Sequence, residues 1–269
     1  MAAVPVPADP APVVEVLSAD KVYADGTRAL HPVDLSIRPG EFVTLLGPSG
    51  CGKSTLLKMI ANLITPSDGR LRWWRQGFER VGEPGRQLVM VFQDATLMPW
   101  ARVQKNVRLP LDLAGAARAD ADARVAEALA LVRLTGFERH YPRQLSGGMQ
   151  MRTSIARALV TDPNLLLMDE PFGALDEITR NRLDADLIQL WWKKHLTVVF
   201  VTHSIYEAVF LSTRVVVMSA RPGRIVKEVA IGEPHPRTDA FRVTQKFAAY
   251  AKELSELLAD ASARGAIDL

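Results

Sequence analysis

Two hydrophobic periods alternate along the chain, and the switches between them mark out its elements. From residue 13 to 46 apolar and polar positions alternate, with turn signals at Ala24-Asp25-Gly26 and Arg38-Pro39-Gly40. Period two with that punctuation predicts several strands. The last of them, Phe42-Val43-Thr44-Leu45-Leu46, is nearly all apolar, as suits a strand covered on both faces. Leu56 to Leu63 then repeats at helical spacing. Val89-Met90-Val91-Phe92, Asn164-Leu165-Leu166-Leu167-Met168 and Thr197 to Thr202 read as further buried strands, and 214–218 with 224–231 as a strand pair around Arg221-Pro222-Gly223. Helical periodicity without strands fills 101–140, where Ala114 to Leu134 predicts an exposed amphipathic helix. It returns at Met151 to Val160, Glu177 to Lys194 and about Ala240 to Ala259. Residues 70–87 show no clear period and read as irregular. Neighbouring strand side chains point to opposite faces, so at most one of Trp73 and Trp74 is expected in the core.

Composition narrows the class. With 269 residues, 48% hydrophobic and 23% charged, the chain has the makings of a sizeable core in one large domain or two modest ones. A net charge of +3 is too mild for an electrostatic footprint on nucleic acid, and no such partner is expected. Cys51 is the only cysteine, which excludes an internal disulfide. Residues 1–12 are rich in Pro and Ala, without the basic start and apolar block of a secretory signal, and read as a disordered lead-in. No apolar run reaches bilayer-spanning length. The expectation is a soluble, cytoplasmic protein, with any membrane spanned by another polypeptide.

The chemistry starts between the third strand and the first helix, at Gly47-Pro48-Ser49-Gly50-Cys51-Gly52-Lys53-Ser54-Thr55. Strand, glycine-rich turn and Lys-Ser-Thr on a helix start form the context of a phosphate loop. The glycines let successive backbone N–H groups turn inward, and the helix N-terminus adds partial positive charge. Lys53 supplies an ammonium for the outer phosphates and Ser54 a hydroxyl for Mg²⁺. Cys51 sits inside the loop, so a bulky thiol adduct is expected to block nucleotide binding.

Other candidates lie at strand ends and helix starts. Asp169-Glu170 closes a buried strand, at the carboxyl edge where open α/β sheets bind ligands. Downstream of a phosphate loop, Asp169 is expected to hold the water shell of Mg²⁺ and Glu170 to polarise an attacking water. Tyr23 either stacks on a base or packs in the core. Gln93 either swings toward a metal or a water, or caps its strand. His203 either meets a terminal phosphate or is a structural hydrogen bonder. Leu145-Ser146-Gly147-Gly148-Met149-Gln150 offers Ser146 as an N-cap before a helix. The two glycines cost backbone entropy, and close approach of an anion or a plain cap explains them equally.

Taken together and in order, these stretches resemble the nucleotide-binding subunit of ABC transporters over about residues 13–235. The resemblance implies an α/β fold: a P-loop NTPase (RecA-like) core, 13–93 and 157–235, with N-terminal antiparallel β strands. It implies an inserted helical subdomain, 94–156, carrying the signature motif, and a helical tail, 236–269. It implies ATP and Mg²⁺ as ligands and a homodimer holding two ATP. Each ATP lies between one chain's phosphate loop and the other's Ser146, Gly147 and Gly148. Tyr23 becomes the adenine-stacking residue, Glu170 the catalytic base and His203 the γ-phosphate contact. Gln93 links the metal site, with Ser54 and Asp169, to a transmembrane permease, and Asp176 lies at the subunit interface. Phe92-Gln93-Asp94-Ala95-Thr96-Leu97-Met98-Pro99-Trp100, Asn106-Val107 and Ser219 to Ile225 look like the importer group for nitrate, sulfonates and taurine. Met149-Gln150 departs from the commonest signature ending. A location on the cytoplasmic face of the cell membrane follows, with a solute-binding protein as an indirect partner. The competing class is a soluble ABC ATPase of iron–sulfur cofactor assembly or DNA repair, although the long heptad insertions of repair members are missing.

Overall fold

A computed structural model describes residues 11–219 and 221–267; most of the expected lead-in lies outside them. The central sheet has six strands in the order β5-β6-β7-β3-β8-β9. They are β3 (Phe42–Leu46), β5 (Leu88–Val91), β6 (Leu165–Asp169), β7 (Thr197–Thr202), β8 (Arg214–Met218) and β9 (Ile225–Ala230). All pairings are parallel except β8 with β9. A three-stranded antiparallel sheet, in the order β2-β1-β4, is made by β1 (Val14–Val22), β2 (Arg28–Ile37) and β4 (Asp68–Trp73).

Alternation along the central strands creates two cores, one on each face. Val43, Leu45, Leu165, Leu167, Val199, Val201, Val216 and Met218 pack toward the small sheet and helix α1 (Lys53–Ile60). Phe42, Leu46, Leu166, Met168, Val198, Phe200, Val215 and Val217 face the remaining helices. On that side lie α2 (Val103–Leu113), α3 (Arg118–Leu131) and α4 (Gly147–Leu159), all inserted between β5 and β6. They are joined there by α5 (Glu177–Lys194), α6 (Ile205–Leu211) and α7 (Gln245–Ile267). Phe42 sits among aromatics, edge-on to Trp191 and tilted against Phe200, each at 5.9 Å between centroids.

Three expectations need correction. Residues 70–87 are not wholly irregular, because β4 pairs antiparallel with β1, matching Val14 with Trp73 and Leu17 with Arg70. Its alternation, Arg70-Leu71-Arg72-Trp73, is only four residues long and is interrupted by Trp74. Trp73 enters the core, donating from Nε1 to the Ile60 carbonyl at 2.8 Å and meeting Phe78 edge-on. Trp74 leaves the strand at positive φ (48°) and stays half-buried. Helix α6 had no counterpart in the periodicity, being only seven residues long. The tail helix starts at Gln245, preceded by a 3-10 turn, Asp239–Val243, rather than at Ala240. Among the described residues no helix is long and apolar enough to cross a membrane.

Phe42→Ala should lower the unfolding free energy by about 3–5 kcal/mol through transfer and cavity terms. Urea denaturation checks it, and a loss under about 1 kcal/mol would mean the aromatic cluster is not the centre of this core.

Candidate functional site

Three parallel strands end side by side and hand over their chemistry at the same edge. β3 runs out at Leu46 into the phosphate loop, β6 at Asp169 and β7 at Thr202, with Leu46 in register with Thr202 and Asp169 with Val201. Each strand is buried, so the first residues past it emerge together at the sheet edge.

The phosphate loop is held open from within. Lys53, only 3% exposed, donates from Nζ to the carbonyls of Gly47 at 2.8 Å and Pro48 at 2.9 Å. A buried ammonium needs such partners, and here they fix its charge at the loop's centre. Gly52 precedes α1 at φ +90°, and a Cβ there would stand 2.5 Å from Leu30 Cδ2 and 2.8 Å from the Ala29 carbonyl. Only glycine satisfies both the dihedral and the space. Ser54, in the first turn of α1, donates from Oγ to Asp169 Oδ1 at 2.7 Å. Burial raises the Asp169 carboxyl above its ordinary range, with Ser54's hydrogen bond and Lys58's charge pulling partly back.

Glu170 follows with φ +45°, a left-handed conformation uncommon outside glycine. Its N–H donates to the Val201 carbonyl at 3.0 Å, and its own carbonyl accepts from Gly173 N–H at 3.1 Å. The carboxylate is thereby turned toward the loop: Oε1 lies 4.0 Å from Lys53 Nζ and Oε2 3.2 Å from His203 Nδ1.

An open cleft of about 390 Å³ runs over this edge, lined by Ser49, Gly50, Gly52, Lys53, Ser54, Thr55 and Glu170 and reaching Tyr23. Tyr23 is 41% exposed, with its hydroxyl 3.2 Å from Thr55 Oγ1; it stands at the cleft mouth rather than in the core. Asp169 joins through Ser54, and His203 through Glu170. Arg28 and Arg221, which no spacing along the chain marks out, also line the cleft. Arg221 donates from Nε to the Gly50 carbonyl at 3.2 Å. Its spacing in the chain does not say that the β8–β9 turn folds back over the phosphate loop.

The remaining candidates stand outside this cleft. Gln93 is exposed on the loop after β5. Ser146 caps α4, its Oγ accepting from Met149 N–H at 3.3 Å, and Ser146 and Gly147 are exposed. Gly148 has a reason within the chain, because a Cβ there would come within 2.9 Å of Thr179 Cγ2 on α5. Asp176 caps α5, accepting from Thr179 N–H at 3.0 Å.

A family model described as ABC transporter matches residues 30–173. The chain belongs to this family. It is an ATP-binding subunit that hydrolyses ATP, and its fold is that of the P-loop ATPase cassettes. An aliphatic sulfonates import ATP-binding protein of Bacillus cereus is 43% identical over 84% of this chain and 88% of its own length. An uncharacterized ABC transporter ATP-binding protein of Methanocaldococcus jannaschii is 47% identical over 87% of this chain and 85% of its own. Among solved structures, an ATP-binding cassette captured as a post-hydrolysis dimer with ADP and Pi superposes with a TM-score of 0.71. It is 32% identical and covers 82% of this chain and 100% of its own.

One expectation about the loop changes. Cys51 is 1% exposed, with Sγ turned inward 3.8 Å from Lys53 Nζ. Burial pushes its thiol up, and Lys53's charge offsets only part of that. The loop therefore displays backbone, not a thiol. Native protein should react with an aromatic disulfide reagent at least about 10-fold more slowly than denatured protein, since the reactive species is the thiolate, and ATP should slow it further. Reaction of the native protein at the denatured rate would contradict the inward placement.

Proposed function

We propose that this chain is the ATP-hydrolysing subunit of an importer for a small organic or inorganic anion of the sulfonate, nitrate or taurine kind. It works as a pair with a second copy, on the cytoplasmic face of the cell membrane, beneath a transmembrane permease. The observation that carries the reading is the Lys53–Glu170–His203 cluster at the cleft floor, with Ser146 and Gly147 exposed outside that cleft. One chain supplies loop, base and histidine but leaves the cleft open on one side. The α4 N-terminus of a second copy, with its inward-pointing N–H groups, has the charge to close it. The dimeric form of the solved cassette with ADP and Pi supports this arrangement.

The residues then take these roles. Tyr23 presents its ring to the adenine, and the backbone of Gly47 to Thr55 wraps the phosphates, with Lys53 on the outermost pair. Ser54 and Asp169 offer two hard oxygens side by side, a donor set suited to Mg²⁺. Among the described residues no group of three or more His, Cys, Asp or Glu forms a metal cage, so phosphate and water would complete the ligands. Bound there, Mg²⁺ would neutralise charge on the phosphates. Glu170 accepts the proton of the attacking water, held in orientation by its hydrogen bond with His203. His203 then meets the γ-phosphate. Two polyanionic tails repel unless countercharge lies between them, so ATP favours the closed pair and hydrolysis its parting.

Residues 94–156, the helical insert, carry this motion toward the permease. Asn106 is fully buried and braces the loop after Gln93, donating to the carbonyls of Ala101 and Met98 and accepting from Met98 N–H. Arg157 donates to the Ala95 and Thr96 carbonyls, each at 2.9 Å. The braced loop holds Trp100 out to solvent at 76% exposure, suited to a membrane partner. The competing soluble reading gains no such support among the relatives, which include import ATP-binding proteins.

Glu170→Gln should retain ATP binding, trap a dimer on ATP addition and cut turnover by about 100-fold or more. Steady-state hydrolysis with size-exclusion chromatography checks this, and an undiminished rate would remove Glu170 from its role. Specific activity of the unmutated chain should also fall on dilution below the dimerisation range; a rate per chain independent of concentration would overturn the shared site.

A further inference from the structure

Four charged side chains that do not line the cleft cluster behind it, two carboxyls buried and two guanidinia half-buried. Asp184 of α5 is 0% exposed and Glu207 of α6 is 5% exposed. Arg242, from the 3-10 turn Asp239–Val243 of the tail, donates from Nη2 to Asp184 Oδ2 at 2.9 Å and lies 3.7 Å over the Phe210 ring. Arg180 of α5 stands with Nε 3.9 Å from Glu207 Oε1. The two buried carboxyls thus each have a guanidinium beside them, the kind of partner a buried acidic group needs.

The members reach the two loops that carry the proposed base and histidine. Arg180 donates to the carbonyls of Phe172 at 3.3 Å and Leu175 at 2.8 Å, in the turn just past Glu170. Glu207 Oε2 accepts a hydrogen bond from Thr202 Oγ1, the residue before His203. Thr202 Oγ1 in turn accepts from Ser204 N–H at 3.0 Å, the residue after it. The group therefore has the tail on one side and both flanks of the Glu170–His203 pair on the other.

We propose that Arg242 is a positioning residue for hydrolysis: through Asp184, Glu207 and Arg180, the tail turn sets the separation of Glu170 and His203. The proposal rests on the roles given to that pair above. Asp184 Oδ1 and Glu207 Oε1 have no hydrogen-bond partner among the described residues, so each carboxyl depends on the nearby guanidinia. Burial and their mutual repulsion push the Asp184 carboxyl up, and burial does the same to Glu207. Without Arg242, both carboxyls compete for Arg180. As Arg180 turns toward Asp184 it gives up the Phe172 and Leu175 carbonyls, and the turn bearing Glu170 moves relative to His203. Phosphate-loop contacts are untouched, so ATP still binds. A tail engaged by another protein or segment would have the same lever on turnover.

The test is steady-state ATP hydrolysis by the full-length chain at saturating dimer concentration. Arg242→Met should lower kcat about 10-fold, the scale expected of a sub-ångström misplacement, with KM for ATP within about two-fold. The double variant Asp184→Asn/Arg242→Met removes the competing carboxylate and should recover most of kcat. Should Arg242→Met fail to fold, Arg242→Lys carries the reading, with an intermediate kcat at unchanged KM. An unchanged kcat in the folded single variant, a fall matched by the loss of ATP-binding-competent protein, or a double variant as slow as the single would overturn the proposal. Glu170→Gln run alongside separates the two ideas. If it turns over normally the site assignment fails, and if it is inactive while Arg242→Met is normal only the tail's role fails.

Discussion

Everything in the molecule depends on the register of three parallel strands. With Leu46 opposite Thr202 and Asp169 opposite Val201, the phosphate loop, the acidic pair and the histidine leave the sheet at a common edge. A one-residue slip in β6 would exchange Leu166 and Met168 for Leu165 and Leu167 between the two cores and turn Asp169 away from Ser54. The aromatic cluster of Phe42, Phe200 and Phe172 guards against this, since its members come from β3, β7 and the turn after Glu170. The same side chains that exclude water from the core thus set the distances of the chemistry.

Much of this was legible in the chain. The phosphate loop could be read because its requirements are local: glycines for the backbone, Lys53 and Ser54 on a helix start, a buried strand before. Asp169-Glu170 and His203 could be read because each follows a strand whose apolar run is unmistakable. β4 was missed because its alternation, Arg70-Leu71-Arg72-Trp73, runs for only four residues before Trp74 interrupts it, and pairing with β1, some fifty residues upstream, supplies what the local pattern lacks. Arg28 and Arg221 were missed for a different reason. Nothing in their own spacing tells that two turns from different sheets close over one loop. The resemblance to a family supplied what neither period nor spacing could, namely the proposal that Ser146 and Gly147 serve a neighbour. Locally they remain a well-formed helix cap.

At Gly148 packing and the proposed phosphate contact ask for the same residue. Its missing side chain admits Thr179 of α5 within the chain, while its place in the first turn of α4 leaves the helix N-terminus free of bulk. Packing alone would accept glycine here, and so would an approaching phosphate. The position reports neither by itself; Ser146 and Gly147 beside it are exposed, as the proposed contact with a second copy requires.

Glu170 makes a complementary point about strain. A non-glycine residue held at φ +45° costs on the order of 1–3 kcal/mol, and persists only where its surroundings over-determine it. Here they do so from both directions. Its N–H is bound by the Val201 carbonyl and its own carbonyl is bound by Gly173. Phe172 is fully buried beneath, and Arg180 binds the next turn through two carbonyls. None of these groups lies in the nucleotide cleft. The orientation of the carboxylate toward His203 and Lys53 is therefore fixed by residues whose own contacts are with the core and with the buried charges behind it. Arg180, which does not line the cleft, thus belongs to the same structural problem as the loop that does.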